Sequence, residues 1–74
     1  MREELNDLDI VALTRELPEE GLPAGQTGTV VYVHAGGAAF EVEFPLGPRR
    51  SVVATVERDA LLKLKGIGLP AGAA

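Results

Sequence analysis

The sequence predicts an all-β fold, a small five-stranded barrel with one short helical turn before the last strand. Three observations lead to this prediction. The chain has 74 residues, enough for a single domain. Nine glycines and five prolines interrupt it at short intervals. Between these interruptions lie short segments that are rich in β-branched residues or alternate apolar with polar residues, which is the pattern of strands.

The first strand is predicted at residues 9–14, around the short apolar run IVAL. Residues 15–26 follow as a long loop, because their two prolines and two glycines suit neither a helix nor a strand ladder. We expect Leu17 and Leu22 to anchor this loop on the barrel.

The clearest element is a hairpin whose strands are predicted at residues 27–34 and 39–44. Gly36 and Gly37 lie between them and can supply the positive φ that both central positions of a type I′ turn require. The segment FEVEF in the second of these strands is the strongest alternation of apolar and polar residues in the chain.

Pairing outward from this turn predicts the register of the hairpin: Val33 opposite Phe40, Tyr32 opposite Glu41, Val31 opposite Val42 and Thr29 opposite Phe44. A slip of one residue would set the apolar positions of one strand beside the glutamates of the other, so the turn and the pattern agree. The face predicted to be the core carries Thr29, Val31, Val33, Phe40, Val42 and Phe44. The outward face carries Val30, Tyr32, His34, Glu41 and Glu43.

The remaining elements are a turn at residues 45–49, a fourth strand at 50–56, a helical turn at 57–60 and a fifth strand at 61–65. The side chains expected to face the core are Val52, Ala54, Val56, Leu62 and Leu64, whereas Lys63 and Lys65 are expected to point outward. Residues 1–65 then form the single domain, and the Gly-, Ala- and Pro-rich residues 66–74 form a tail.

Composition narrows the classes of function. The net charge is −4, and seven of the eleven acidic residues lie among the first twenty, so we expect no nucleic-acid partner. The absence of cysteine excludes a disulfide and a thiolate metal site. No apolar run approaches the roughly 20 residues that span a bilayer, and the charged N-terminus does not look like a signal peptide, so we expect no membrane partner and a cytoplasmic protein. The scarcity of Asn, Gln and Met is consistent with a thermophile or with a GC-rich genome.

Chemistry-bearing residues are few and scattered. His34 is the single histidine, and a metal site would need further ligands that its surroundings do not supply. Ser51 could serve as a nucleophile with His34, but nothing in the pattern brings them together. No phosphate-binding glycine loop is present. The sequence therefore predicts neither a cofactor nor an enzyme.

Four segments resemble a family of small bacterial proteins of unknown function: LDIVAL at residues 8–13, LPEEGL at 17–22, GQTGTVV at 25–31 and FEVEF at 40–44. The resemblance covers roughly residues 5–65. It implies an SH3-like barrel and brings no activity or site residues with it. The turn at residues 46–50 departs from the acidic, glycine-containing turn that the family leads us to expect.

The stretch from Gly25 through Gly28 to Val31 is also similar to the KOW motif of ribosomal and transcription-elongation proteins. This second similarity implies an RNA- or ribosome-associated module as an alternative function.

The leading prediction is a protein-interaction module that binds an unidentified protein partner or a second copy of itself. Its predicted surface is the stripe of Val30 and Tyr32, flanked by His34, Glu41 and Glu43, because interfaces favour tyrosine at the centre and charge at the rim. Two alternatives remain open for this stripe. The loop at residues 15–26 covers it with Leu17 or Leu22, or a partner docks there.

Overall fold

A computed structural model of the chain describes residues 4–34 and 36–64. It confirms an all-β fold with five strands and a helical turn before the last strand. A further 3-10 turn, Pro18–Glu20, lies inside the predicted loop. The elements in chain order are β1 (Ile10–Leu13), a 3-10 turn (Pro18–Glu20), β2 (Thr27–His34), β3 (Ala39–Gly47), β4 (Arg50–Glu57), a 3-10 turn (Arg58–Ala60) and β5 (Leu61–Lys63).

The strands form one antiparallel sheet in the order β4-β3-β2-β1-β5. β4 and β5 are its two edges, so among the described residues the predicted closure into a barrel is absent. The chain passes from β4 to β5 through the three-residue turn Arg58–Ala60, and β5 pairs with β1. Within the described residues, no helix is long and apolar enough to cross a membrane. Lys65 and the tail predicted at residues 66–74 lie outside the part that the structure describes.

One face of the sheet is buried and forms the core. Phe40 and Phe44, both in β3, are its largest side chains, as the alternation in β3 predicted. Leu5, which the sequence analysis did not assign, joins the core from the segment before β1. The buried apolar side chains are Leu5, Val11, Leu13, Leu22, Val30, Phe40, Val42, Phe44, Ala54, Val56, Ala60 and Leu61.

The β2–β3 hairpin has the predicted register near its turn but not beyond it. Val33 pairs with Phe40 and Tyr32 with Glu41 as predicted, and Gly36 and Gly37 have positive φ values of 66° and 105°. A β-bulge at Val31 then shifts the pairing by one residue.

This bulge overturns part of the predicted surface. Val30 pairs with Val42 and is fully buried, whereas Val31 is 37% exposed. The predicted pairs Val31–Val42 and Thr29–Phe44 are therefore wrong, because the extra residue of a bulge exchanges the two faces of the strand beyond it. Thr29 pairs with Glu43 instead.

The prediction of which β5 side chains face the core is also wrong. Leu61 is buried and Leu62 is 56% exposed. The cause is the pairing with β1, in which Leu61 lies opposite the buried Leu13 and Lys63 lies opposite the buried Val11. Lys63 therefore stands on the core side, and its ammonium group reaches the Asp9 carboxylate at 3.5 Å.

Several element boundaries differ from the prediction: β4 ends at residue 57 rather than 56, and β5 ends at 63 rather than 65. β3 continues through Pro45 to Gly47 with an irregularity in its pairing to β4, so the predicted turn at 45–49 shortens to residues 48 and 49. Pro45 is compatible with this strand because proline is tolerated at irregular positions of a sheet. β1 is shorter than predicted by one residue at each end.

Candidate functional site

The candidate site is the outer face, which we define as the surface of β2, β3 and β4 that points away from the core. Because side chains alternate along a strand, the residues that lie between the buried ones in these strands point to the outer face. Its side chains include Tyr32 and His34 from β2, Glu41 and Glu43 from β3, and Ser51, Val53 and Thr55 from β4.

A hydrogen-bond network joins the three strands across this face. The Nε2 atom of His34 lies 2.6 Å from Oε2 of Glu41, and the Thr55 hydroxyl donates to the same oxygen at 2.8 Å. Two residues further along β3, Glu43 accepts a hydrogen bond on its Oε2 atom from the Ser51 hydroxyl at 2.8 Å. The carboxylate of Glu41 is thus held from both adjoining strands and that of Glu43 from β4, which fixes their orientations.

Tyr32 is the most exposed aromatic residue of this face. Its ring meets the ring of His34 edge to face, with centroids 4.8 Å apart, and the residue remains 58% exposed. His34 is oriented by its hydrogen bond to Glu41, and the ring of Tyr32 packs against it. The opposite side of the Tyr32 ring is exposed to solvent. Such an arrangement can accept an apolar or cationic side chain on the ring.

The structure brings together four of the five predicted surface residues: Tyr32, His34, Glu41 and Glu43. Val30 does not join them, because the bulge at Val31 turns it into the core.

The loop at residues 15–26 does not cover Tyr32. Leu22 is buried in the core, and Leu17 packs against the core from its edge. Leu17 and Leu22 also pair with each other through backbone hydrogen bonds. The loop therefore closes one side of the core, and the exposed side of the tyrosine ring faces solvent.

Three residues of the outer face were not predicted from the sequence: Ser51, Val53 and Thr55. The signal was available, since they alternate with the core positions assigned correctly in β4. Val53 is 52% exposed and lies opposite Glu43. Thr55 lies opposite Glu41 and donates to it.

Metal chemistry gains no support from this geometry. Among residues 4–34 and 36–64, no three side chains of the His, Cys, Asp and Glu types lie close enough to hold a metal ion.

The hydrogen bonds to Glu41 change its pKa, and through it the pH dependence of the stability of the protein. The hydrogen bonds from His34 and Thr55 hold the pKa of Glu41 below its ordinary value of 4.5. A carboxylate with a lowered pKa in the folded state stabilises the fold at higher pH, and this contribution is lost as the pH falls through the lowered pKa.

We therefore expect a stability advantage of wild type over Glu41→Gln at neutral pH that shrinks below about pH 4.5. Urea unfolding of both proteins over a pH series measures it. If the difference in the free energy of unfolding between the two proteins stayed constant from neutral pH to about pH 3, the lowered pKa of Glu41 would be contradicted.

The fold and the site define a small all-β protein with five antiparallel strands in one open sheet and an exposed, tyrosine-bearing outer face. The chain belongs to the family described as domain of unknown function DUF4926, whose model matches residues 7–45, more than half of its length. The resemblance to a family of unknown function is thereby confirmed. The matched region contains Tyr32, His34, Glu41 and Glu43 and ends within β3. No curated protein and no solved structure matches the chain.

Proposed function

We propose that this protein is a small SH3-like interaction module of the cytoplasm that binds a protein partner through its outer face and carries out no catalysis. The observation that carries the proposal is the exposed ring of Tyr32, supported by the network of His34, Glu41 and Thr55. Tyrosine is enriched among the few residues that carry most of the binding energy of protein interfaces.

The order of elements supports the SH3-like assignment. A long, irregular first connection at residues 15–26 is followed by two hairpins and a single 3-10 turn before β5. β1 pairs with both β2 and β5, so the first and last strands are neighbours, as that architecture requires. The open gap lies between β4 and β5.

The composition of the outer face indicates the chemistry of the partner. Tyr32 and Val53 provide exposed apolar surface on β2 and β4, and Glu41 and Glu43 lie between them on β3. A protein segment that presents an apolar side chain beside a basic one is complementary to this pattern.

The net charge of −4 and the pairing of two basic side chains support a protein partner over RNA. Lys63 pairs with Asp9, and Arg15 pairs with Glu57 and Asp59. Cations already engaged by carboxylates contribute little to phosphate binding.

The experiment is affinity capture from the source organism with wild type beside Tyr32→Glu. Position 32 is exposed, so the variant is expected to fold, which circular dichroism checks. We expect proteins retained by wild type to be lost by the variant, since the substitution removes the ring and adds a charge. Leu62→Glu is the matched control, because Leu62 is as exposed as Tyr32 but lies on β5.

Two results would contradict the proposal. One is retention of the same proteins by wild type and by Tyr32→Glu. The other is a retained set that disappears on treatment with ribonuclease, which would favour the KOW-like alternative.

A further inference from the structure

The middle of the β4 edge, residues 51–56, lacks the charges and prolines that usually protect a sheet edge. Such edges are commonly short, charged, bulged or interrupted by proline. β4 has eight residues, and positions 51–56 are uncharged, free of proline and half valine. At the other edge, β5 has three residues and ends in Lys63.

The backbone groups of alternate β4 residues point away from β3. Val30 donates its N–H to Asp9 and accepts from Leu8, so its polar groups face the β1 side of the sheet. Its partner Val42 must then direct its own groups toward Ala54 of β4, because antiparallel ladders alternate in this way. The N–H of Arg58, four residues after Ala54, also points towards the β3 side of the sheet, where it donates to the Ala38 carbonyl. This agrees with the alternation inferred for β4.

It follows that Ser51, Val53 and Thr55 direct their N–H and C=O groups at the open edge. Residues 17–20 of the first connection come near this edge and line a shallow cavity with Thr55. No backbone hydrogen bond of the described residues joins that connection to β4.

We propose that the β4 edge pairs with the β4 edge of a second copy of this chain, antiparallel and about a two-fold axis at Val53. This inference goes beyond the proposed function and does not rest on it. The two-fold axis stands normal to the sheet, so the outer faces of both copies lie on the same side of a continuous ten-stranded sheet.

Complementarity of the strand with itself selects this register. Pairing Val53 with Val53 of the second copy sets Ser51 opposite Thr55, and it brings Arg49, in the turn just before β4, towards Glu57 at the end of the other strand. The two-fold axis makes each contact occur twice. Exposed valines thus meet at the centre, hydroxyl side chains flank them, and opposite charges close both ends. Glu57 is available for this contact, since its side chain is 74% exposed and its pair with Arg15 is a surface pair at 3.6 Å.

The neighbouring registers are less favourable. Centring the pairing on Ala54 would set Arg50 opposite Arg58, two like charges. Centring it on Val52 would set Ser51 opposite Val53 and leave Glu57 without a cationic partner in the second copy.

Sedimentation velocity of the full chain tests the proposal. An interface of two short strands is small, so the dimer is expected at concentrations on the order of 100 μM. Val53→Lys places two like charges face to face and should raise the dimer dissociation constant about tenfold or more. Leu62→Lys makes the same kind of change at an exposed position of the other edge strand and should leave the dimer unchanged.

A charge exchange tests the register. Arg49→Glu alone should weaken the dimer about tenfold, because it turns two ion pairs into two repulsive pairs. Combining it with Glu57→Arg should return the dissociation constant to within about threefold of wild type, since the pairs are rebuilt with their signs exchanged. Both positions are exposed, so these variants are expected to fold even if Val53→Lys does not.

Several results would overturn the proposal. They are a wild type that sediments as a monomer throughout, an oligomer larger than two, and a dimer that Val53→Lys leaves intact. A dimer weakened by Arg49→Glu but not restored by the exchange would overturn the register.

Discussion

Phe40→Ala is expected to lower the free energy of unfolding by about 3–5 kcal/mol. The residue is only 1% exposed and lies in β3, the strand between β2 and β4. Its truncation removes a large apolar surface and leaves a cavity that the surrounding strands cannot fill. A domain of this length has a total stability of roughly 4–11 kcal/mol, so the loss removes between about a quarter and all of it, and the variant should unfold at a clearly lower urea concentration.

Urea unfolding followed by far-ultraviolet circular dichroism measures this loss. Tyr32→Ala is the matched control, because it also truncates an aromatic side chain in the same hairpin but at an exposed position. It should cost less than about 1 kcal/mol. Equal losses for the two variants would contradict the placement of Phe40 in the core.

Gly28→Ala is expected to destabilise the protein by about 1–3 kcal/mol, toward the upper end of that range. A Cβ atom at this position would lie 2.7 Å from the carbonyl oxygen of Glu43 and 2.7 Å from Cδ1 of Phe44. The oxygen belongs to the backbone of β3 and cannot rotate away, so β2 and β3 would have to separate. Thermal unfolding of the variant beside wild type measures the effect.

Gly47→Ala is the control for this substitution. Gly47 lies in β3, has no positive φ, and a Cβ atom there would meet nothing within 4 Å. The change should be neutral or stabilising by up to about 1 kcal/mol, because alanine restricts the unfolded chain. If both variants were destabilised equally, the close approach at Gly28 would not be the cause.

The elements themselves could be predicted because their signals are local. The paired glycines Gly36 and Gly37 set the turn, and the alternation of FEVEF set the faces of β3. Pairing away from the turn placed His34 and Glu41 on the same outward face, and the structure shows in addition that their side chains are in contact. The exposed position of Tyr32 was predicted correctly for the same reason.

The candidate site was predicted only in part. The sequence analysis paired β2 with β3 but did not extend the outer face to β4, so Thr55 and its hydrogen bond to Glu41 were missed. From the sequence, Gly28 was noted only as part of the stretch that is similar to the KOW motif. Its role in the close contact with Glu43 depends on a strand fifteen residues away, and no local pattern reports that distance.

The sequence by itself determined which segments are strands, where the chain turns and that β3 has one buried face. The tertiary structure decided which side chains of β5, and which side chains of β2 beyond its bulge, face the core. At both places two apolar residues of one type stand side by side, Val30 with Val31 and Leu61 with Leu62, so alternation cannot say which faces the core. Pairing with Val42 buries Val30, and pairing with Leu13 buries Leu61. The open edge of β4 arises in the same way, because β5 pairs with β1, and only the assembled sheet shows which strands remain without a neighbour.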